Sequence, residues 1–161
     1  GDTIVLDCGT TPLQMLPFLE HKKVTVITNS WPSAHYAGGN SKIKLIFAPG
    51  MYCETSAGIT GVLTEEFFAR IHADKVFMGA HGFDVENGAM EPDLEVNSKK
   101  AVLASGREKF LLVDSTKFGK IYLMKYAGLE EFHHIITDEY FEAENREKLE
   151  AVCSDVIYAS R

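Results

Sequence analysis

The chain of 161 residues carries a formal net charge of −7, with 45% hydrophobic and 24% charged residues, the make-up of one soluble globular domain. That surplus of carboxylates excludes DNA or RNA binding by this stretch alone, which takes a concentrated basic face, but not a small anion held by a few local donors. No run nears the roughly 20 apolar residues of a membrane span, and no signal peptide is visible.

Cys8, Cys53 and Cys153 are widely spaced, with no C-x-x-C pair. They read as reduced thiols of a cytoplasmic protein, and neither zinc nor a disulfide framework is expected. Gly1-Asp2-Thr3 runs straight into an apolar stretch without a leader or initiating Met, as in a piece cut from a longer protein.

In chain order, apolar runs predict strands at Ile4–Cys8, Val24–Thr28, Lys44–Ala48, Lys75–Gly79, Phe110–Asp114, Ile135–Thr137 and Val156–Tyr158. Between them lie stretches with helical spacing, such as Leu13, Leu16, Phe18 and Leu19 in an amphipathic run from Pro12, or Leu63, Phe67, Phe68 and Ile71. The acidic run Glu142–Glu150 reads as a solvated helix face that turns Leu149 and Val152 inward. Nearly continuous Val/Ile/Leu strands alternating with helices predict an α/β fold, a mostly parallel open sheet covered by helices on both faces. Ala48–Ile59 and His81–Asp93 read as long irregular segments. No repeat, low-complexity tract or internal linker divides the chain, so it is expected to form a single domain over 1–161.

Open parallel sheets bind ligands at the carboxyl ends of their strands. The first end is Asp7-Cys8-Gly9-Thr10-Thr11, where a helix N-terminus and two hydroxyls suit an anion, phosphate above all. A plain helix cap by Thr10 or Thr11 is the other reading of this turn. Thr28-Asn29-Ser30, Pro49-Gly50, Gly79-Ala80-His81-Gly82-Phe83-Asp84, Asp114-Ser115-Thr116-Lys117 and Thr137-Asp138 follow at the next strand ends. Taken singly, each is ordinary turn chemistry. Together they describe a polar, hydroxyl-rich pocket for a phosphorylated sugar, with Asp7, Gly9, Thr10, Thr11, Thr28, Asn29, Ser30, Gly50, Gly79, His81, Gly82, Asp84, Asp114 and Lys117 as candidate ligand contacts.

Five of these stretches, Ile4–Thr11, Val26–Ser30, Ala73–Asp84, Leu112–Gly119 and Ile136–Asp138, resemble in order and spacing the C-terminal effector-binding domain of the DeoR family of bacterial transcription regulators. The resemblance spans nearly the whole chain. It implies the fold of ribose-phosphate isomerase, glucosamine-phosphate deaminase and the CoA transferases. It also implies a helix-turn-helix domain N-terminal to this chain, through which alone DNA would be bound, and a homo-oligomer without membrane attachment. Gly9, Thr10 and Thr11 would then form the phosphate loop, with Thr28, Asn29 and Ser30 beside it. Asp84, Asp93, Glu95 and Lys99 fall near the edge where the related isomerases place acid–base residues, and Lys117 takes the position of the family's strand-end lysine. Pro49-Gly50 departs from the family's Gly-Gly, Asn97 stands where an acidic residue is usual, and His81 replaces a serine. An imidazole there is a donor that titrates near neutrality.

Other chemistries lack their signatures. There is no Gly-x-Gly-x-x-Gly, no P-loop and no Gly-x-Ser-x-Gly elbow, and the six histidines have no metal-like spacing. No cofactor, metal or catalytic residue is expected. Two function classes remain: a sensor domain of a regulator, most often a repressor of sugar metabolism, and an enzyme. The enzyme would be a sugar-phosphate isomerase or amino-sugar phosphate deaminase, with Asp84 or Glu95 as base and Lys99 or His81 as acid. The isomerase's own Asp-Gly-Ala-Asp turn and Lys-Gly-Gly-Gly-Gly run are both absent.

Overall fold

The computed structural model describes residues 1–93 and 96–160. Its elements run β1 (Thr3–Leu6), α1 (Thr10–Leu13), β2 (Val24–Thr28), α2 (Trp31–Gly38), β3 (Ile43–Phe47), β4 (Met51–Cys53), β5 (Gly58–Thr60), α3 (Val62–Phe68) and β6 (Ala73–Met78). There follow β7 (Gly82–Asp84), β8 (Gly88–Glu91), α4 (Val96–Ala104), β9 (Gly106–Leu112), β10 (Met124–Ala127), β11 (His134–Asp138), α5 (Ala143–Val152) and β12 (Val156–Ala159). The seven apolar runs singled out in the sequence are the seven strands of one sheet, ordered β12-β11-β9-β6-β1-β2-β3. Every neighbouring pair in it is parallel.

Alternate residues serve opposite faces, as the pleat requires. Val5, Val76, Met78 and Leu111 pack with Phe68, Val102, Leu103 and Leu149 from α3, α4 and α5. Ile4, Leu6, Phe77 and Leu112 pack on the other face with Leu16 and with Ala37 of α2. Burying each such side chain contributes roughly 1.5–3 kcal/mol before chain entropy is counted. Both faces of the central strands β1, β2 and β6 are therefore largely dry, which is why these strands read as continuous apolar runs.

Three local expectations change. The amphipathic run from Pro12 to Leu19 is broken into α1 and a 3-10 turn over Leu16–Leu19, because Pro17 lacks an N–H and restricts the residue before it. β9 begins at Gly106, earlier than expected. Its charged start pairs with β6 from Ala73↔Gly106 onward, while β11 joins only at Phe110, leaving Arg107 exposed. The two segments read as irregular form antiparallel ribbons instead: β4 with β5, and β10-β8-β7 as a small second sheet.

The winding fixes where a ligand can sit. From β1 the chain moves outward to β2 and β3, returns to β6 on the other flank of β1, and continues outward through β9, β11 and β12. The order reverses between β1 and β6. At such a switch point the connections leave in opposite directions and open a crevice beyond the strand ends.

Candidate functional site

That crevice is a cavity of about 450 Å³, walled by the turn after β1, the start of α2, the β4–β5 ribbon, the turn after β6, residues Glu91–Asp93, the first turn of α4, and Lys117. Gly9, Thr10 and Thr11 line it, as do Asn29, Ser30, Gly79, His81, Asp93, Lys99 and Lys117. Residues from the first and second halves of the chain therefore meet there.

Gly9 is the N-cap of α1, so Thr10 and Thr11 occupy its first two positions. They do not cap the helix. Their amides stand where a helix offers N–H groups without intrahelical acceptors, and their hydroxyls are free of the capping role. The start of α2 is different. Ser30 Oγ accepts from the Ser33 N–H at 3.3 Å, the Trp31 N–H donates to the Ala57 carbonyl at 2.9 Å, and Pro32 has no N–H. No amide of that turn is left for a ligand.

Behind the cavity runs a chain of charges. Asp7 is fully buried, and its Oδ2 accepts from the Gly79 N–H and from Lys99 Nζ, each at 3.1 Å. Lys99 also lies 2.5 Å from Glu91 Oε1 and 4.9 Å above the Tyr126 ring. Glu91 Oε2 lies 2.5 Å from His81 Nδ1. The path runs from half-exposed His81 through buried Glu91 and Lys99 to Asp7. Burial works against the Lys99 charge, but Asp7, Tyr126 and Glu91 outweigh it and hold the ammonium well above the usual lysine range. Burial likewise holds the Tyr126 phenol well above its usual range. It stays a neutral donor to the Gly79 carbonyl at 2.7 Å. Burial, with Asp7 next to it, pushes the Cys8 thiol up to about 12, so Cys8 presents a neutral S–H to the cavity.

Several sequence candidates are not in the wall. Asp84 ends β7, where Oδ1 and Oδ2 accept from the Asn87 backbone and side-chain N–H groups. It closes the β7–β8 turn. Asp114 caps the 3-10 turn over Ser115–Lys117 by accepting from the Thr116 N–H at 3.0 Å. Thr28 Oγ1 donates to the Leu6 carbonyl and accepts from the Ser30 N–H, which ties β2 to β1. Gly50 has φ +147°, and a Cβ there would lie 2.2 Å from Thr64 Oγ1; it lets the chain turn from β3 into β4. Gly82 is a buried member of β7 opposite Met90. Asp7 lies beneath the cavity as its electrostatic anchor. Glu95 falls outside the described residues.

The sequence reading missed Glu91 and Tyr126. The signal for Glu91 was a lone carboxylate at the end of the apolar run Ala89-Met90-Glu91. Among the described residues, no group of His, Cys, Asp and Glu could hold a metal. No described helix is long and apolar enough to cross a membrane.

A family model described as the DeoR C terminal sensor domain matches residues 1–139. The chain belongs to the DeoR family. This DeoR sensor domain is 32% identical over 139 residues to the HTH-type transcriptional regulator YulB of Bacillus subtilis (strain 168), covering 86% of this chain and 54% of that protein. It is 31% identical to the HTH-type transcriptional regulator IolR of the same organism, covering 86% and 56%. It is 28% identical to the glycerol-3-phosphate regulon repressor of Escherichia coli (strain K12), again covering 86% and 56%. The chain thus spans about half the length of the curated relatives it matches. Among solved structures, ribose 5-phosphate isomerase A from Methanocaldococcus jannaschii superposes with a TM-score of 0.51 at 18% identity, over 73% of this chain and 47% of that one. The eIF2B beta subunit of Chaetomium thermophilum gives 0.50 at 18%, over 77% and 36%. At these identities the likeness is one of fold.

Proposed function

We propose that this DeoR sensor domain binds a phosphorylated sugar in the cavity at the β1/β6 switch point, and that binding controls DNA recognition by a helix-turn-helix domain elsewhere in the protein. The observation that carries the reading is the cavity itself. It brings uncapped Thr10 and Thr11 at a helix start together with Lys117 from the far half of the sheet. Amides, hydroxyls and an ammonium are the donors a phosphoryl group calls for.

A ligand shifts a regulator only by binding one of its states better than the other. Because the cavity is shared by both halves of the sheet, the ligand gains contacts only when the two walls stand at the right separation. Such a protein works in the cytoplasm as a homo-oligomer, most simply as a repressor of sugar metabolism, with its two DNA-binding domains matched to two half-sites.

The His81–Glu91–Lys99–Asp7 path favours a second reading, proton transfer on a sugar phosphate. Against it, both oxygens of Glu91 are engaged, and Asp84 serves a turn.

A thermal-shift screen of sugar phosphates, each beside its unphosphorylated parent, tests the sensor reading. A rise in melting temperature from a phosphorylated compound alone supports it. No shift from any compound overturns it, and conversion of the hit to product on incubation would favour the enzyme.

A further inference from the structure

Among the described residues of the cavity wall, His81 is the only imidazole. Its backbone N–H donates to the Met90 carbonyl at 3.1 Å, which fixes the residue against β8. Its ring lies edge-on to that of Tyr122, in the segment leading into β10, with centroids 5.9 Å apart. Nδ1 lies 2.5 Å from Glu91 Oε2. The side chain is nevertheless 54% exposed and borders the cavity, so a ligand there meets it directly.

The charges facing His81 are out of balance. Among the described residues, Glu91 and Asp93 in the wall and Asp7 beneath it are carboxylates, while Lys99 and Lys117 supply the ammonium groups. Three negative charges thus stand against two positive ones. Cys8 and Tyr126 add none, since burial keeps both neutral. Imidazole is the side chain whose ordinary titration falls between pH 5 and 8. A neutral His81 leaves one surplus negative charge facing an incoming anion, and a protonated His81 cancels it. A cavity of 450 Å³ is only about 10 Å across, about one Debye length at physiological salt, so an anion anywhere in it feels these charges.

We propose that His81 takes up a proton from solvent when a phosphorylated ligand enters the cavity, so that effector affinity falls as pH rises through neutrality. The imidazolium is held by Glu91 at Nδ1 and stabilised by the ligand's charge across the cavity. The inference rests on the sensor reading and adds a regulation to it. Proton and ligand are linked reciprocally: the factor by which protonation tightens the ligand is the factor by which the ligand tightens the proton. At low pH the ligand finds the imidazolium already formed. At high pH binding must bring the proton with it, and the dissociation constant rises.

The test is titration calorimetry of this chain with the phosphorylated compounds of the thermal-shift screen, glucose 6-phosphate and ribose 5-phosphate among them. It is run at pH 7.5 in two buffers of different ionisation enthalpy. A phosphate monoester, whose second pKa is about 6, is by then a dianion, so a buffer-dependent heat reports protons taken up by the protein. About half a proton per ligand is expected, together with a three- to tenfold rise in dissociation constant from pH 6.5 to 8.5, below the roughly hundredfold ceiling for one proton over two pH units. In His81→Gln the uptake vanishes and the affinity no longer falls with pH. His81→Lys, charged throughout this range, binds at pH 8.5 about as tightly as the unmodified chain does at pH 6.5. Uptake that persists in His81→Gln places the proton elsewhere and overturns the inference. Binding to the unmodified chain without any uptake also overturns it, requires no variant to fold, and leaves the sensor reading intact. No binding of any phosphorylated compound removes both.

Discussion

Lys99, reaching in from α4, lies 3.1 Å from Asp7 beyond the end of β1, with side chains 11% and 0% exposed. Lys99 also pairs with Glu91, so one ammonium serves two buried carboxylates. Removing one partner of a buried ion pair costs far more than the pair contributes net, because the remaining charge stays in a low-dielectric interior.

Lys99→Met is therefore expected to destabilise the chain by about 3–5 kcal/mol, read as a lower urea midpoint. Adding Glu91→Gln to it should restore part of the loss, since one of the stranded charges is then gone. Equal stability of Lys99→Met and the unmodified chain would mean that the pairing is not made in solution.

Thr10→Val with Thr11→Val should leave the melting temperature nearly unchanged, because neither hydroxyl caps α1. Affinity for a phosphorylated ligand should fall between about tenfold and a hundredfold, the worth of one hydrogen bond to a charged group. An unchanged dissociation constant would put the phosphate elsewhere.

His134, at the opposite end of the sheet, has Nδ1 2.5 Å from Asp155 and Nε2 2.7 Å from Glu108. Burial works against its charge, but the hydrogen bonds to Asp155 and Glu108 outweigh it and raise its pKa above 6.5. A raised folded pKa contributes stability that is fully present below the unfolded value and is lost as pH rises through the folded one. The chain should therefore lose stability relative to His134→Gln as pH climbs from 6 upward. The difference should be no more than about 1 kcal/mol, since the carboxylates are well solvated. Melting curves of the two proteins from pH 6 to 9 check it, and parallel curves would count against the pairing.

The thiols should separate by reactivity. Hydrogen bonds from Ser56 and Thr55 lower the Cys53 pKa, whereas Cys8 is pushed up to about 12 and Cys153 is buried. Because the thiolate is the nucleophile, iodoacetamide at pH 7.5 should label Cys53 first. In Cys53→Ser the native chain should stay nearly unlabelled until denatured, as peptide mass mapping would show.

The main sheet was legible because both of its faces are covered. Val5-Leu6 and Val76-Phe77-Met78 are apolar at every position, which needs no knowledge of partners. The ribbons were not. Gly82-Phe83-Asp84 and Met51-Tyr52-Cys53 are too short for any period to show, and only their pairing across a turn makes them strands.

In the site, reach separated the residues that line the cavity from those that do not. Asp84 and Asp114 are short carboxylates beside free backbone N–H groups, and they bond locally. The longer Lys99 and Lys117 both line the cavity, Lys99 with its ammonium on the buried carboxylates of Asp7 and Glu91. Glu91 was hidden because a carboxylate in a short apolar run makes sense only once Lys99 is seen beside it.

The order of the strands bears on how the chain is made. β1 precedes the other six strands of its sheet in the chain, yet it lies in the interior of that sheet, between β2 and β6. Its partner β2 follows at once. The flank that will receive β6 waits, and the link from Asp7 to the Gly79 N–H spans 72 positions. Until then the nascent half-sheet offers an unpaired apolar edge, the kind of surface that other chains join. The pocket's first wall is thus built early, and its second arrives only with the strand that closes this edge.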